Sequence, residues 1–294
     1  MDIIKNRKYY FGLSVIIIAV GIAAMIINSA RGVSALNYDI EFTGGVSIDI
    51  SIGREFNNND IADIIRSHTD DKSPQVQKII GTNDVTIRMQ PVPNEKRAEI
   101  VNDILEKYEL EEDAVLNISD ISGTVSSEMQ NRALFAIFLS TFLMLIYITI
   151  RFRDIRAGTS AILALIHDLL IVVAFYAVFR LPVNNSFIAA SLTVLGYSIN
   201  ATIVIFDRIR ENKGGYRLEN YGILVNKSVN QTLRRSINTT ATTLLAIGAI
   251  YVLGVRSVKE LALPLIIGIT SGVYSSVFLS GAMWHFMLSG KKNS

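Results

Sequence analysis

The stretch "SLTVLGYSINATIVIFDRIREN", residues 191–212, is apolar for the depth of a bilayer and then breaks into a run of charge. It carries Ser198, Asn200 and Thr202 inside the apolar run, and Asp207, Arg208, Arg210 and Glu211 end it. A hydrocarbon core about 30 Å thick takes about 20 apolar residues in a helix, because only helices and closed barrels satisfy every backbone group in lipid. Five further stretches of this chain have comparable length and apolarity. The six lie near 9–30, 132–151, 159–180, 186–207, 235–255 and 261–288. Half of the 294 residues are hydrophobic, more than a single soluble core of this size needs. The chain is therefore expected to be an α-helical polytopic membrane protein with six transmembrane helices.

The first stretch follows Lys5, Arg7 and Lys8 and has the basic start of a secretory signal, but its apolar run is too long for a signal core, so an uncleaved span is expected. Arg151, Arg153 and Arg156 join the second span to the third, and residues 208–235 hold seven basic residues. The positive-inside bias places both connections on the cytoplasmic side of the membrane. The amino end and the Lys291, Lys292 tail then fall on the same side, as six spans require. With no cysteine there is no disulfide framework. His68, His167 and His285 match no metal-ligand spacing, and no P-loop appears. A non-catalytic protein without metal or cofactor is expected, one that draws energy from outside itself.

Residues 31–130 follow other rules. In "GVSIDISIG", Val46, Ile48, Ile50 and Ile52 alternate with Ser47, Asp49 and Ser51, the period of a half-buried strand. The Asn cluster of "NNNDIADIIRSH" caps a helix with Ile61, Ile64 and Ile65 inward. Strands "QVQKII" and "DVTIRM" follow around the turn "GTND", then the helix "PNEKRAEIVNDILEKY" and a last strand "AVLNISDI". The order β-α-β-β-α-β is the ferredoxin-like pattern, an α+β extracytoplasmic domain between helices 1 and 2. This region has 9 Lys plus Arg against 19 Asp plus Glu, and the remainder has 19 against 7. An acidic outer domain above a basic face that meets anionic lipid fits this asymmetry and argues against nucleic acid. The expected organisation is a tail and first helix at 1–30, the outer domain at 31–130, a five-helix bundle at 131–290 and a tail at 291–294.

Asp168 follows His167 about nine residues into the third span, hence roughly 14 Å deep at 1.5 Å per residue. A carboxylate there costs on the order of 3 kcal/mol on insertion scales and is seldom idle. A titratable member of a proton path is one role; a neutral side chain bonded to His167 for packing is the other. Asn200 shares a helical face with Gly196, Thr193 and Asp207, and with Thr202 serves either such a path or close interhelical packing. Arg235, Thr239, Thr242 and Thr243 form a polar stripe in the fifth span that is expected to point into the bundle. Asp207, Arg208 and Arg210 mark exit from the lipid at the cytoplasmic end of helix 4. In "EFTGG", Phe42, Thr43, Gly44 and Gly45 join the first span to the first strand, as a hinge or a strand-start bulge.

"YDIEFTGG", "FRDIRAGTSAILALIHDLLIV", "GYSINATIVIFDRIREN" and "SVNQTLRRSINTTATTLL" lie in order along nearly the whole chain and together resemble the SecD/SecF family of bacterial protein-translocase subunits, on its SecF side. The resemblance implies membership of the resistance-nodulation-division superfamily, in which twelve spans form two pseudo-symmetric halves. This chain supplies one half. Implied partners are a six-span SecD, the SecYEG channel, YajC and the translocating unfolded polypeptide, and the implied activity is a proton-motive-force-driven late step of export. The resemblance further implies that Arg235 serves the proton route and that Asn-Asp-Thr is usual where Asn200, Ala201 and Thr202 stand here. Ala201 cannot titrate, so either the carboxylate comes from Asp168 or from the partner, which is the expectation, or the chain is an altered or specialised version. Two other functions are open at this point: a half-size homodimeric exporter of lipids or drugs, and a scaffold of the channel that uses no protons.

Overall fold

The computed structural model describes residues 2–69, 74–79, 83–217 and 220–289. Among these, six helices are long and apolar enough to cross a membrane. The chain divides into two units, one formed by Met1–Asn37 and Leu134–Ser294 and the other by Tyr38–Ala133.

The helical unit contains α1 (Ile3–Ala30), then most of α5 (Gly123–Phe152), α6 (Ile155–Phe179), α7 (Asn185–Asn212), α8 (Tyr221–Leu253) and α9 (Arg256–Tyr274). The last span continues from α9 through a π-helical segment (Ser275–Ser280) into α10 (Gly281–Ser289). Each helix outruns the apolar stretch that announced it, because polar turns continue the hydrogen-bonded ladder beyond the lipid. Helix α5 starts about nine residues before the expected span, where Ser122 Oγ accepts from Val125 N and so caps a polar first turn. Helix α8 includes the whole amphipathic segment that precedes the fifth span. Helices α6, α7 and the last span are the most buried, and α1, α5 and α8 are the most exposed. Large apolar side chains such as Ile16, Phe138 and Leu245 are exposed on the outer helices, the surface a bilayer covers.

Helices α7 and α9 pack closely because small residues repeat every four positions along α9 and the π segment: Gly268, Gly272, Ser276 and Ser280. A Cβ at Gly268 would overlap the Val194 side chain, and one at Gly272 would lie 3.0 Å from Ser198 Cβ. The same face carries the polar groups described below.

In the second unit a four-residue helix, α2 (Ile40–Thr43), precedes β2 (Gly45–Ser51). The order continues with α3 (Asn58–His68), β3 (Gln75–Lys78), β4 (Asp84–Met89), α4 (Asn94–Lys107) and β5 (Val115–Ile121). The sheet order is β3-β4-β2-β5, with every neighbouring pair antiparallel. Ile48 sits opposite Ile87 on one side and Ile118 on the other, so the strand alternation delivers Val46, Ile48, Ile50, Val85 and Ile87 to one core. Helices α3 and α4 cover it with Ile61, Ile65, Ile100 and Ile104, while Ile64 is only partly buried. Asn57 caps α3 by accepting from Asn59 N. The expected turn at 81–84 lies in part, and the tail at 291–294 wholly, outside the described residues. Two-residue strands β1 (Asn37–Tyr38) and β6 (Pro182–Val183) complete the elements.

"EFTGG" is resolved into two parts. Asp39 caps α2, its carboxylate accepting from Ile40 N at 2.7 Å, and Phe42 and Thr43 belong to that short helix. Gly44 ends the helix at φ 72°, and Gly45 opens β2 at φ 133° so close to Met89 O that a Cβ would overlap it. Asp39 also pairs with Arg88 of β4 at 2.9 Å, and both side chains are buried.

Candidate functional site

The centre of the helical unit is a carboxylate surrounded by hydroxyls. Asp168 on α6 has no exposed surface. Its Oδ2 accepts from Ser198 Oγ of α7 at 2.6 Å and from Ser275 Oγ, the first residue of the π segment, at 2.8 Å. Its Oδ1 accepts from Ser271 Oγ of α9 at 2.7 Å and lies 3.0 Å from His167 Nδ1. His167 Nε2 in turn lies 3.0 Å from Ser14 Oγ of α1. A carboxylate offers about four lone-pair sites, and four donors converge on this one. No guanidinium or ammonium is among them. The charge is therefore met by dipoles that can turn, without a fixed countercharge.

The next turn of α7 extends this polar seam. Thr202 Oγ1 lies 2.8 Å from Ser276 Oγ, and Ser276 Oγ is also 3.4 Å from Ser198 O. Ser198 and Thr202, four residues apart, thus share the α7 face that meets α9, both with no exposed surface.

Asn200 and Ala201 belong to another place. They line a cleft between α7 and α8 with Tyr197, Val204, Arg235 and Thr239. Tyr197 Oη donates across it to Thr239 O at 3.2 Å and to Thr243 Oγ1 at 3.0 Å. Thr193, Gly196 and Asn200 are exposed on α7, and Arg235, Thr239 and Thr242 on α8. The stripe expected to face into the bundle thus faces out of it. The buried stripe of α8 is Ser228, Thr232, Ser236 and Thr240. A stripe that bears an arginine and threonines at membrane depth needs protein or water against it. None of the hydrogen bonds to Asp168 comes from Arg235 or Asn200.

At the charged end of α7, Asp207 bridges Arg151 at 3.1 Å and Arg210 at 3.0 Å, and Arg208 pairs with Glu211 at 2.8 Å. Asn212 Nδ2 donates to Ser228 Oγ and Gln231 Oε1 of α8, which joins the end of α7 to the amphipathic start of α8. Phe152 lies beneath Arg151 and Arg210, each within 6 Å of its ring centre. Among the described residues no three His, Cys, Asp or Glu side chains converge to hold a metal ion.

Ser14, Ser271 and Ser275 were not legible as site residues, since isolated serines in apolar runs usually bond their own helix. The available signal was the four-residue repeat of small residues from Gly268, which marks the α9 face able to approach a neighbour closely.

Residues 100–290 match the family model for the protein export membrane protein SecD/SecF, C-terminal. The chain is 36% identical over 291 residues to the protein translocase subunit SecF of Acidaminococcus fermentans, covering 97% of this chain and 96% of that protein. It is 31% identical to the protein translocase subunit SecDF of Bacillus subtilis, of which it spans 37%. Its fold is similar to the crystal structure of SecDF, a translocon-associated membrane protein of Thermus thermophilus, with a TM-score of 0.84 and 30% identity. That likeness covers all of this chain and 39% of the SecDF chain.

Proposed function

The chain belongs to the SecD/SecF family as a SecF-type subunit of the protein translocase, and we propose that it works with SecD at the SecYEG channel, using the proton motive force to promote the late translocation and release of secreted polypeptides. Association with a SecD half follows from the relatives that carry both halves in one SecDF chain. The observation that carries the proton-driven account is Asp168, a fully buried carboxylate at membrane depth whose partners are hydroxyls and a histidine. Such a group is costly to insert and is suited to gaining and losing charge.

The exposed polar face of α7 and α8 supports the partnership. Arg235, Asn200 and Thr239 would be covered by the SecD half, and the carboxylate missing at Ala201 would come from it or from Asp168. The β-α-β-β-α-β order with antiparallel neighbours supports a ferredoxin-like outer domain, and the basic connections support cytoplasmic termini. YajC is a further companion on the strength of the family alone.

Ala201 also favours a second account, a scaffold that steadies the channel without protons. Asp168→Asn separates the two when export of a secreted precursor is followed in cells that depend on this chain. The proton-driven account expects export to fall toward the level seen without the chain; unchanged export removes Asp168 from the relay and favours the scaffold. Ala201→Asp is expected to leave export unchanged, and a gain confined to that variant would show that the missing aspartate limits the native chain.

A further inference from the structure

Four donors meet the carboxylate of Asp168, and they are not equivalent. Ser198 and Ser271 have Asp168 as the acceptor of their hydroxyls. Ser275 has two: its Oγ lies 2.8 Å from Asp168 Oδ2 and 3.2 Å from Gly272 O. Gly272 O stands where the regular ladder of α9 gives way to the π segment, and Ser275 N–H is itself shared between Gly272 O and Ser271 O. We infer that Ser275 is the positioning residue through which proton uptake at Asp168 is passed to the π-helical segment of the last span. The inference rests on the proposed proton-driven function and names its coupling element.

The chemistry follows from counting donors. Ionised, the carboxylate accepts on about four sites and all four donors are used. A proton passed to Oδ2 from hydronium of the aqueous phase breaks an O–H bond there and forms one here, leaving water and a carboxylic acid with one donor and fewer acceptor sites. One hydroxyl must then reverse. Ser275 can do so without losing a bond, since it can accept from the new Oδ2–H while its own hydrogen turns to Gly272 O. A serine hydroxyl on that carbonyl competes with the backbone N–H already there and loosens the helix at the junction. π segments are points at which helices change register, so a small change in pairing there moves what lies beyond. Within the segment the next residue, Ser276, lies 2.8 Å from Thr202 Oγ1 of α7.

The groups that face Asp168 leave this role to it. From α6 comes His167, with its other nitrogen on Ser14 of α1. From α9 comes Tyr274, 6.1 Å from the His167 ring, whose hydroxyl donates to Tyr10 O of α1. Helix α7 presents Ser198 and Thr202, which do not titrate. On α10, His285 lies against Gly222 of α8 instead. Among the described residues no lysine or arginine bonds the carboxylate.

The test combines infrared difference spectroscopy with amide hydrogen exchange over residues 272–280, on the full chain in lipid vesicles across a range of pH. In the native chain a protonated-carboxyl band, absent from Asp168→Asn, is expected to rise as pH falls, and exchange over 272–280 to rise with it. In Ser275→Ala the band is expected to persist at higher frequency, its O–H having lost an acceptor, while exchange no longer follows pH. Ser275→Thr, which keeps the hydroxyl, restores the link, and Ser198→Ala retains it. If Ser275→Ala keeps pH-dependent exchange, or Ser198→Ala abolishes it equally, the assignment of Ser275 is overturned while the proton-driven function stands. If no band depends on Asp168, this inference falls, and with it the reading that Asp168, instead of a carboxylate of the SecD half, carries the proton.

Discussion

Asp39 and Asp168 are both buried carboxylates, 7% and 0% exposed, and the chain compensates them in opposite ways. Asp39, in the unit Tyr38–Ala133 that is proposed above as the outer one, faces the guanidinium of Arg88 and caps a short helix. Asp168, in the helical unit, faces three serine hydroxyls and a histidine. A guanidinium keeps its charge whatever its partner does, so neutralising Asp39 strands a buried cation. Neutralising Asp168 strands no guanidinium or ammonium, and its serine partners donate or accept equally well. One arrangement fixes a structure, and the other permits a change of state.

Arg88→Ala breaks the first arrangement and is expected to have the largest effect on stability. It leaves Asp39 buried without its partner, at a cost of about 3–5 kcal/mol to the outer unit. Rapid proteolysis within residues 38–133, with the helical unit intact, would show it; native resistance would mean that water reaches Asp39. Gly268→Ala attacks the seam that brings α9 to Asp168. Its Cβ meets Val194, so a loss of about 1–3 kcal/mol in the unfolding of the helical unit is expected. Asp168→Asn should change that unfolding by no more than about 1–2 kcal/mol, since the serine hydroxyls around the amide can turn to donate or accept. A larger loss, comparable to that of Arg88→Ala, would make Asp168 a structural residue like Asp39.

A smaller effect sharpens the picture of the outer unit. Burial, reinforced by Asp60, raises Tyr108 above its ordinary value of 10.0, against an opposing pull from Arg54. The folded form thus holds the phenol proton more tightly than the unfolded chain does. That contribution is complete below pH 10 and is lost as pH climbs through the raised value. Tyr108→Phe should flatten the alkaline loss of stability of the outer unit, measured by denaturant midpoints on either side of pH 10.

The legibility of this chain follows the same division. Apolar length announced six spans, and strict alternation announced β2, because both are properties of consecutive residues. Asp168 was legible for the related reason that a carboxylate among apolar neighbours stands out. Its hydroxyl partners Ser198, Ser271 and Ser275 come from α7 and the last span, Ser14 of α1 joins only through His167, and no local pattern links them. The stripe of Arg235 and Thr239 was expected inside the bundle because polarity in lipid must be covered. Sequence could state that requirement but could not show that this chain's own described helices leave Arg235 and Thr239 exposed. Asp39 escaped notice as a cap for α2 since its four-residue helix has no period to detect.

The central claim is that Asp168 carries charge for export. Its most direct test is translocation of a secreted precursor into inverted membrane vesicles containing the native chain or Asp168→Asn, with and without a proton gradient. The account predicts that the gradient stimulates translocation with the native chain and that Asp168→Asn loses this stimulation while gradient-independent translocation is kept. Equal stimulation in both would contradict it.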